Sequence, residues 1–127
     1  MEEPVFFFEL RPDGGEYGLG CYDMKSASME HMRGIIDGNP YRVDTLVEGA
    51  LKGDRFVLYG EDYKRPKGNF DSAAGMLYNK KKFGFTRTMK WGRELTDKRL
   101  PEHIARNFEI LIPMFNFMLE FACPPEE

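Results

Sequence analysis

The stretch from Pro101 to Ala122 constrains the fold more than any other part of the chain. Ile104, Phe108, Leu111, Phe115, Met118 and Ala122 recur every three or four residues, and Ile112 and Leu119 widen the stripe. That period draws one broad apolar face along a long helix, and such a face must be buried against a second layer. Pro101 suits the first helical turn. Pro113 lacks the N–H that would bond Glu109 and crowds its carbonyl, so a kink is expected there. Phe108, Phe115, Phe117 and Phe121, with Met114 and Met118, make the helix strongly aromatic. Core packing is the default use of such a surface.

The rest of the chain supplies the second layer. Residues 5–10, VFFFEL, form an apolar run of strand-forming residues. Arg11-Pro12-Asp13-Gly14-Gly15 carries turn chemistry, and residues 17–22 read as a return strand. Two amphipathic helices follow. One spans about 28–37, with Ser26 or Ser28 as its cap and Met29, Met32, Ile35 and Ile36 as its stripe. The other starts near Pro40, carries Val43, Leu46, Val47, Ala50 and Leu51, and ends at Gly53. Residues 55–59 and 83–89 read as further strands, 71–79 as a short helix and 91–97 as a connection with a helical turn. The expected fold is α+β: one domain over 1–127, with a mainly antiparallel sheet packed against two consecutive helices and a long kinked C-terminal helix.

Composition matters here for what it excludes. Hydrophobic residues make up 42% and charged residues 31%, the balance of a packed chain rather than a disordered one. No apolar run approaches the roughly 18 residues of a membrane helix. Glu2 and Glu3 precede VFFFEL where a secretion signal would be basic, so the expected location is cytoplasmic. Cys21 and Cys123 stand in no metal or redox spacing and are read as free thiols.

Charge is unevenly placed. Segment 55–99 holds twelve Lys/Arg and five Asp/Glu, a net of +7 in a chain whose total is −3. Lys64, Arg65 and Lys67 fall in a loop with Pro66 and Gly68. Lys80, Lys81 and Lys82 form a run, and Arg87, Lys90 and Arg93 follow with Phe83, Phe85 and Trp91 interleaved. Cations beside rings suit a phosphate-bearing ligand, and Lys64, Arg65, Lys67, Lys82, Arg87 and Arg93 are the expected ligand-binding set. The bland alternative is a solvated basic face that pairs with the acidic remainder of the chain. Overall acidity argues against a general nucleic-acid binder.

Four stretches also carry a resemblance. They are 7–15 with 18–22, Met32-Arg33-Gly34-Ile35-Ile36, the basic loop 64–70, and Tyr78-Asn79-Lys80-Lys81-Lys82-Phe83-Gly84-Phe85 with Leu95-Thr96-Asp97. In order and spacing the chain resembles the Domain of Unknown Function 2461 family. The resemblance covers nearly all of the chain, implies a fold and assigns no activity. Members of that family are usually longer at the N-terminus, with an arginine- and aspartate-rich signature. No such run precedes Val5, so the chain is expected to be either a shortened natural member or a piece that holds the later region.

Other constellations carry less. His31 and His103 are the only histidines, too few and wrongly spaced for a zinc site, so no metal or cofactor is expected. Gly18-x-Gly20 sits in a hairpin and not at a strand-to-helix turn, so it is no phosphate fingerprint. Three function classes follow. The first is a non-catalytic binding module for a small anionic ligand. The second is a structural or interaction protein that forms a homodimer through the C-terminal helix. The third is an enzyme on nucleotide-like or phosphorylated substrates, which would need a carboxylate such as Asp71 or Glu61 at the basic site.

Overall fold

A computed structural model describes residues 3–21, 24–68 and 72–122. Tyr22, residues 69–71 (including Asp71), Cys123 and the 124–127 tail lie outside the described residues.

The hairpin expected at the start is present. Strand β1, Pro4–Arg11, pairs antiparallel with β2, Gly14–Cys21, with Phe8 opposite Tyr17 and Phe6 opposite Leu19. Strand β3, Val57–Tyr59, pairs with β4, Gly84–Lys90, and β4 completes the sheet against β2. The spatial order is β1-β2-β4-β3, all antiparallel. Helix α1, Ser26–Gly38, and helix α2, Pro40–Leu51, come between the two pairs. A short α3, Ala74–Tyr78, precedes β4, a one-turn α4, Arg93–Thr96, follows it, and α5, Leu100–Ala122, closes the chain.

Helix boundaries follow local chemistry. The Asn39 side chain accepts a hydrogen bond from the Arg42 backbone N–H at 3.2 Å and caps α2, with Pro40 in the first turn. Gly53, at φ +73°, ends it in a conformation that a side chain would disfavour. Helix α1 begins after Lys25 and not from a serine cap: Lys25 is its cap residue and makes no side-chain capping bond. Pro113 lies inside α5 without dividing it.

Strand alternation sorts the sheet into two faces. Phe6, Phe8, Tyr17, Leu19, Leu58, Phe85 and Met89 point toward the helices. Phe6 stacks on Phe115 at 5.1 Å and tilts against Phe108 at 4.8 Å, while Tyr17 meets Phe108 edge-on at 5.7 Å. Leu19, Met29, Met32, Ile36, Val43, Val47, Phe85, Leu111 and Phe117 are fully buried in one continuous core. Val5, Val57 and Tyr59 lie on the opposite face and are about half exposed. There the Tyr59 ring lies across two glycines: a Cβ on Gly84 would stand 2.5 Å from its Cζ, and one on Gly20 would stand 2.5 Å from its hydroxyl.

Two glycines should respond oppositely to alanine. A Cβ on Gly18 would come within 2.9 Å of the Phe85 carbonyl carbon and the Thr86 Cα, both backbone atoms of the neighbouring strand. Gly34, inside α1, has open space around it. Gly18→Ala is therefore expected to lose more than about 1 kcal/mol of stability, and Gly34→Ala to gain about 1 kcal/mol. Urea denaturation of both variants checks the pair, and equal effects would refute the register of β2 against β4.

Candidate functional site

Helix α1 buries Met29, Met32, Arg33 and Ile36, which sit at i, i+3, i+4 and i+7. An arginine thus occupies a core-facing position. Arg33 is 9% exposed, and its Nη1 has no hydrogen-bond partner among the described residues. No ion pair forms between Arg33 and any described carboxylate. A buried guanidinium left this way is costly unless something else meets it.

What meets it is the ring of Tyr63. The Arg33 guanidinium carbon lies 5.4 Å from the ring centroid, Lys67 Nζ lies 4.7 Å away and Lys81 Nζ 5.8 Å away. Three cations from three separate segments therefore crowd one aromatic ring. The ring quadrupole attracts each of them, with energies of about 0.5–2 kcal/mol apiece. It does not remove their mutual repulsion. Among the described residues only Lys81 also has a carboxylate, Glu61 at 3.3 Å, and that pair is exposed.

The loop is held in place by Asn79. Its Oδ1 accepts from the backbone N–H groups of Lys67 at 2.7 Å and Gly68 at 3.1 Å, and its Nδ2 donates to the Gly68 carbonyl at 3.2 Å. The Tyr63 N–H donates to the Asn79 carbonyl at 3.0 Å, and the Lys81 N–H to that of Glu61 at 2.8 Å. Lys80, largely covered, donates to the Gly60 carbonyl and pairs with Asp62, both at 3.0 Å. Together these bonds fasten the loop to the segment that leads into β4. A hollow of about 410 Å³ opens beside the cluster, lined by Leu58, Asp62, Tyr63, Pro66, Asn79 and Lys80. That is within the size range of small-molecule sites.

Tyr78 stands nearby and donates to both oxygens of Asp37, at 3.1 and 3.2 Å. Burial, the bond to Asp37 and the Asp37 charge push its phenol above the ordinary value of 10.0, and Arg33 opposes them.

The six residues expected from sequence fall in more than one place. Lys67 is at the Tyr63 ring, and Lys64 and Arg65 are exposed on the same loop. Lys82 is exposed just before β4. Arg87 is elsewhere: it points from β4 to the helix side and binds Glu94, with Nε–O at 3.0 Å and Nη2–O at 2.8 Å. Arg93 opens α4 beside that pair. Arg33, Tyr63 and Lys81 were not anticipated as site residues. The available signal was Arg33 itself, a charge set inside an apolar helical stripe. Among the described residues the basic segment forms no ion pair with the acidic remainder of the chain. Its ion pairs, Lys80–Asp62, Lys81–Glu61 and Arg87–Glu94, are all internal to 55–99.

A family model described as Conserved hypothetical protein (DUF2461) matches residues 1–117. The chain belongs to the DUF2461 family. The match takes in α1 with Arg33, the basic loop and β4, so the Tyr63 cluster lies wholly within the family region. No curated protein and no solved structure matches the chain. Among the described residues no group of His, Cys, Asp and Glu could hold a metal ion, and no helix is long and apolar enough to cross a membrane.

Tyr78 offers a direct check of this corner. Its raised phenol pKa means the folded state holds the proton more tightly than the unfolded chain does. The associated stability is present below the ordinary tyrosine range and is lost as pH rises through the folded pKa. Asp37→Asn removes the charge but not the burial. In an alkaline tyrosinate titration one phenol should shift down toward 10.0; an unchanged titration would show that Asp37 does not act on it.

Proposed function

We propose that the protein is a non-catalytic binding module for a small phosphate-bearing anion, received at the cluster of Arg33, Tyr63, Lys67 and Lys81. The observation that carries this reading is Arg33, a buried guanidinium with no carboxylate partner among the described residues, set beside two lysines on one ring. An oxyanion would relieve the repulsion among the three cations, accept from the free Nη1, and form the charge-assisted hydrogen bonds that arginine favours with phosphate. Lys64 and Arg65 would add to the attractive field at the mouth of the loop. Asn79 preorganises the loop, which lowers the ordering cost of binding.

The test couples stability to ligand. Arg33→Met keeps the length of the side chain and removes the buried charge. Without ligand the variant should be as stable as the parent or more so. Inorganic phosphate should raise the melting temperature of the parent, beyond chloride at equal ionic strength, and raise that of Arg33→Met by less. A parent that responds to phosphate no more than to chloride would end this reading. So would a variant that keeps the full response.

A second reading has its own observation. Phe8, Leu100, Pro101, Ile104, Ala105 and Phe108 line an almost wholly apolar dish of about 500 Å³ between β1 and α5, and Ile112 and Leu119 are exposed along the same helix. This supports an interaction protein that self-associates through α5. Sedimentation velocity over a wide concentration range should then show a dimer that Ile104→Glu abolishes. A monomer throughout would remove this reading.

A further inference from the structure

At the other end of the β3–β4 ladder lies a second cationic cleft, separate from the Tyr63 cluster. It holds about 230 Å³, and its rim carries Arg55, Arg87, His103 and Arg106 with a single carboxylate, Glu94. The three arginines and His103 come from separate places in the chain: the approach to β3, the middle of β4 and the first turns of α5. Arg87 spends its charge on Glu94 and also donates to the Arg55 carbonyl at 3.5 Å. Arg55 and Arg106 make no ion pair among the described residues. Two uncompensated guanidinium groups therefore face one small space, before any proton on His103 is counted.

The floor of the cleft is as informative as the rim. Tyr17 is 1% exposed, and its hydroxyl accepts a hydrogen bond from Asn107 Nδ2 at 2.6 Å. No described group accepts the phenol proton. A neutral phenol and a primary amide hold three N–H or O–H donors between them, and one bond joins the pair. If the amide turns so that its oxygen accepts from the phenol, both amide N–H groups are left over. In either arrangement a polar donor remains at the base of a cationic cleft, and a bound acceptor oxygen would satisfy it.

We propose that this cleft is a second site, specific for a phosphate-sized oxyanion, with Arg55 and Arg106 as the charged arms and the Tyr17–Asn107 pair as the neutral donor beneath. Its volume is below the roughly 300–1,000 Å³ of drug-sized ligand pockets. It would hold only several waters at about 30 Å³ each. The ligand is thus a free oxyanion or the phosphate end of a small monoester, with the rest of the molecule outside. Arg87 acts as a positioning residue: its bond to Glu94 offsets the charge of the one described carboxylate on the rim.

Nitrogen-15 NMR of the full chain tests this, with inorganic phosphate titrated at constant ionic strength against a chloride control. The Asn107 side-chain amide and the Arg55 and Arg106 Nε–H signals should move saturably. Both arginines are exposed, so Arg55→Ala/Arg106→Ala should keep a folded spectrum and bind about tenfold more weakly or worse. Tyr17→Phe, which keeps the ring, should weaken binding with the arginines intact. Arg33→Met should leave this titration unchanged, so failure of the Tyr63 site and failure of this one are read separately. Repeating the titration with glycerol phosphate separates the two sources: tighter binding than phosphate indicates a monoester, and equal or weaker binding a free anion. No saturable shift at Asn107, or the same affinity in the double arginine variant, would overturn the proposal.

Discussion

The contact on which the rest of the structure depends is the aromatic seam between α5 and the first hairpin. Phe6 against Phe108 and Phe115, with Tyr17 against Phe56 and Phe108, locks one long helix across β1 and β2. Further along, Phe121 closes on Phe83 at 6.0 Å and on Phe117 at 5.2 Å. Burying a ring of this kind contributes about 1.5–3 kcal/mol, so the seam is a large share of what holds helix to sheet. It also decides where chemistry can happen. With α5 fixed on Tyr17, His103, Arg106 and Asn107 must overhang β4 at Arg87. Helices α1 and α2 pack against α5 in turn, and α1 brings Arg33 to Tyr63.

Most elements were legible because each has a local cause. The α5 stripe, the Asp-Gly-Gly turn, Pro40 and Gly53 act within a few residues of themselves, and the structure places elements where they point. The start of α1 was misread for a related reason. Serines at 26 and 28 have the right chemistry for a cap, but Lys25 already provides the extended backbone that opens the helix, so both serines fall inside it. The sheet order was not legible, because pairing β2 with β4 joins segments about seventy residues apart and no local feature encodes it.

The candidate site was half visible. The basic loop announces itself by composition, and Lys67 does reach the ring. The partners that turn a charged loop into a site come from tertiary packing. Tyr63 carries no local signal of its own, and Arg33 stands inside a helix motif. Arg87 looked like a neighbour of Lys82 because only five residues separate them. Strand alternation and the pull of Glu94 send it to the helix side of the sheet instead. The excess positive charge of 55–99 is therefore shared between two ends of the β3–β4 ladder.

The Tyr59 ring on the far face has a consequence for how this sequence can change over time. Its phenol fills the space that side chains at positions 20 and 84 would need. Neither glycine can acquire a side chain while the tyrosine stays in that place. Shrinking the tyrosine alone would bare a strip of backbone on two strands. The three positions, on three different strands, form one inherited unit, and substitutions among them should arrive together or not at all. In related chains, a bulky residue at either glycine position should be accompanied by a small one where Tyr59 stands.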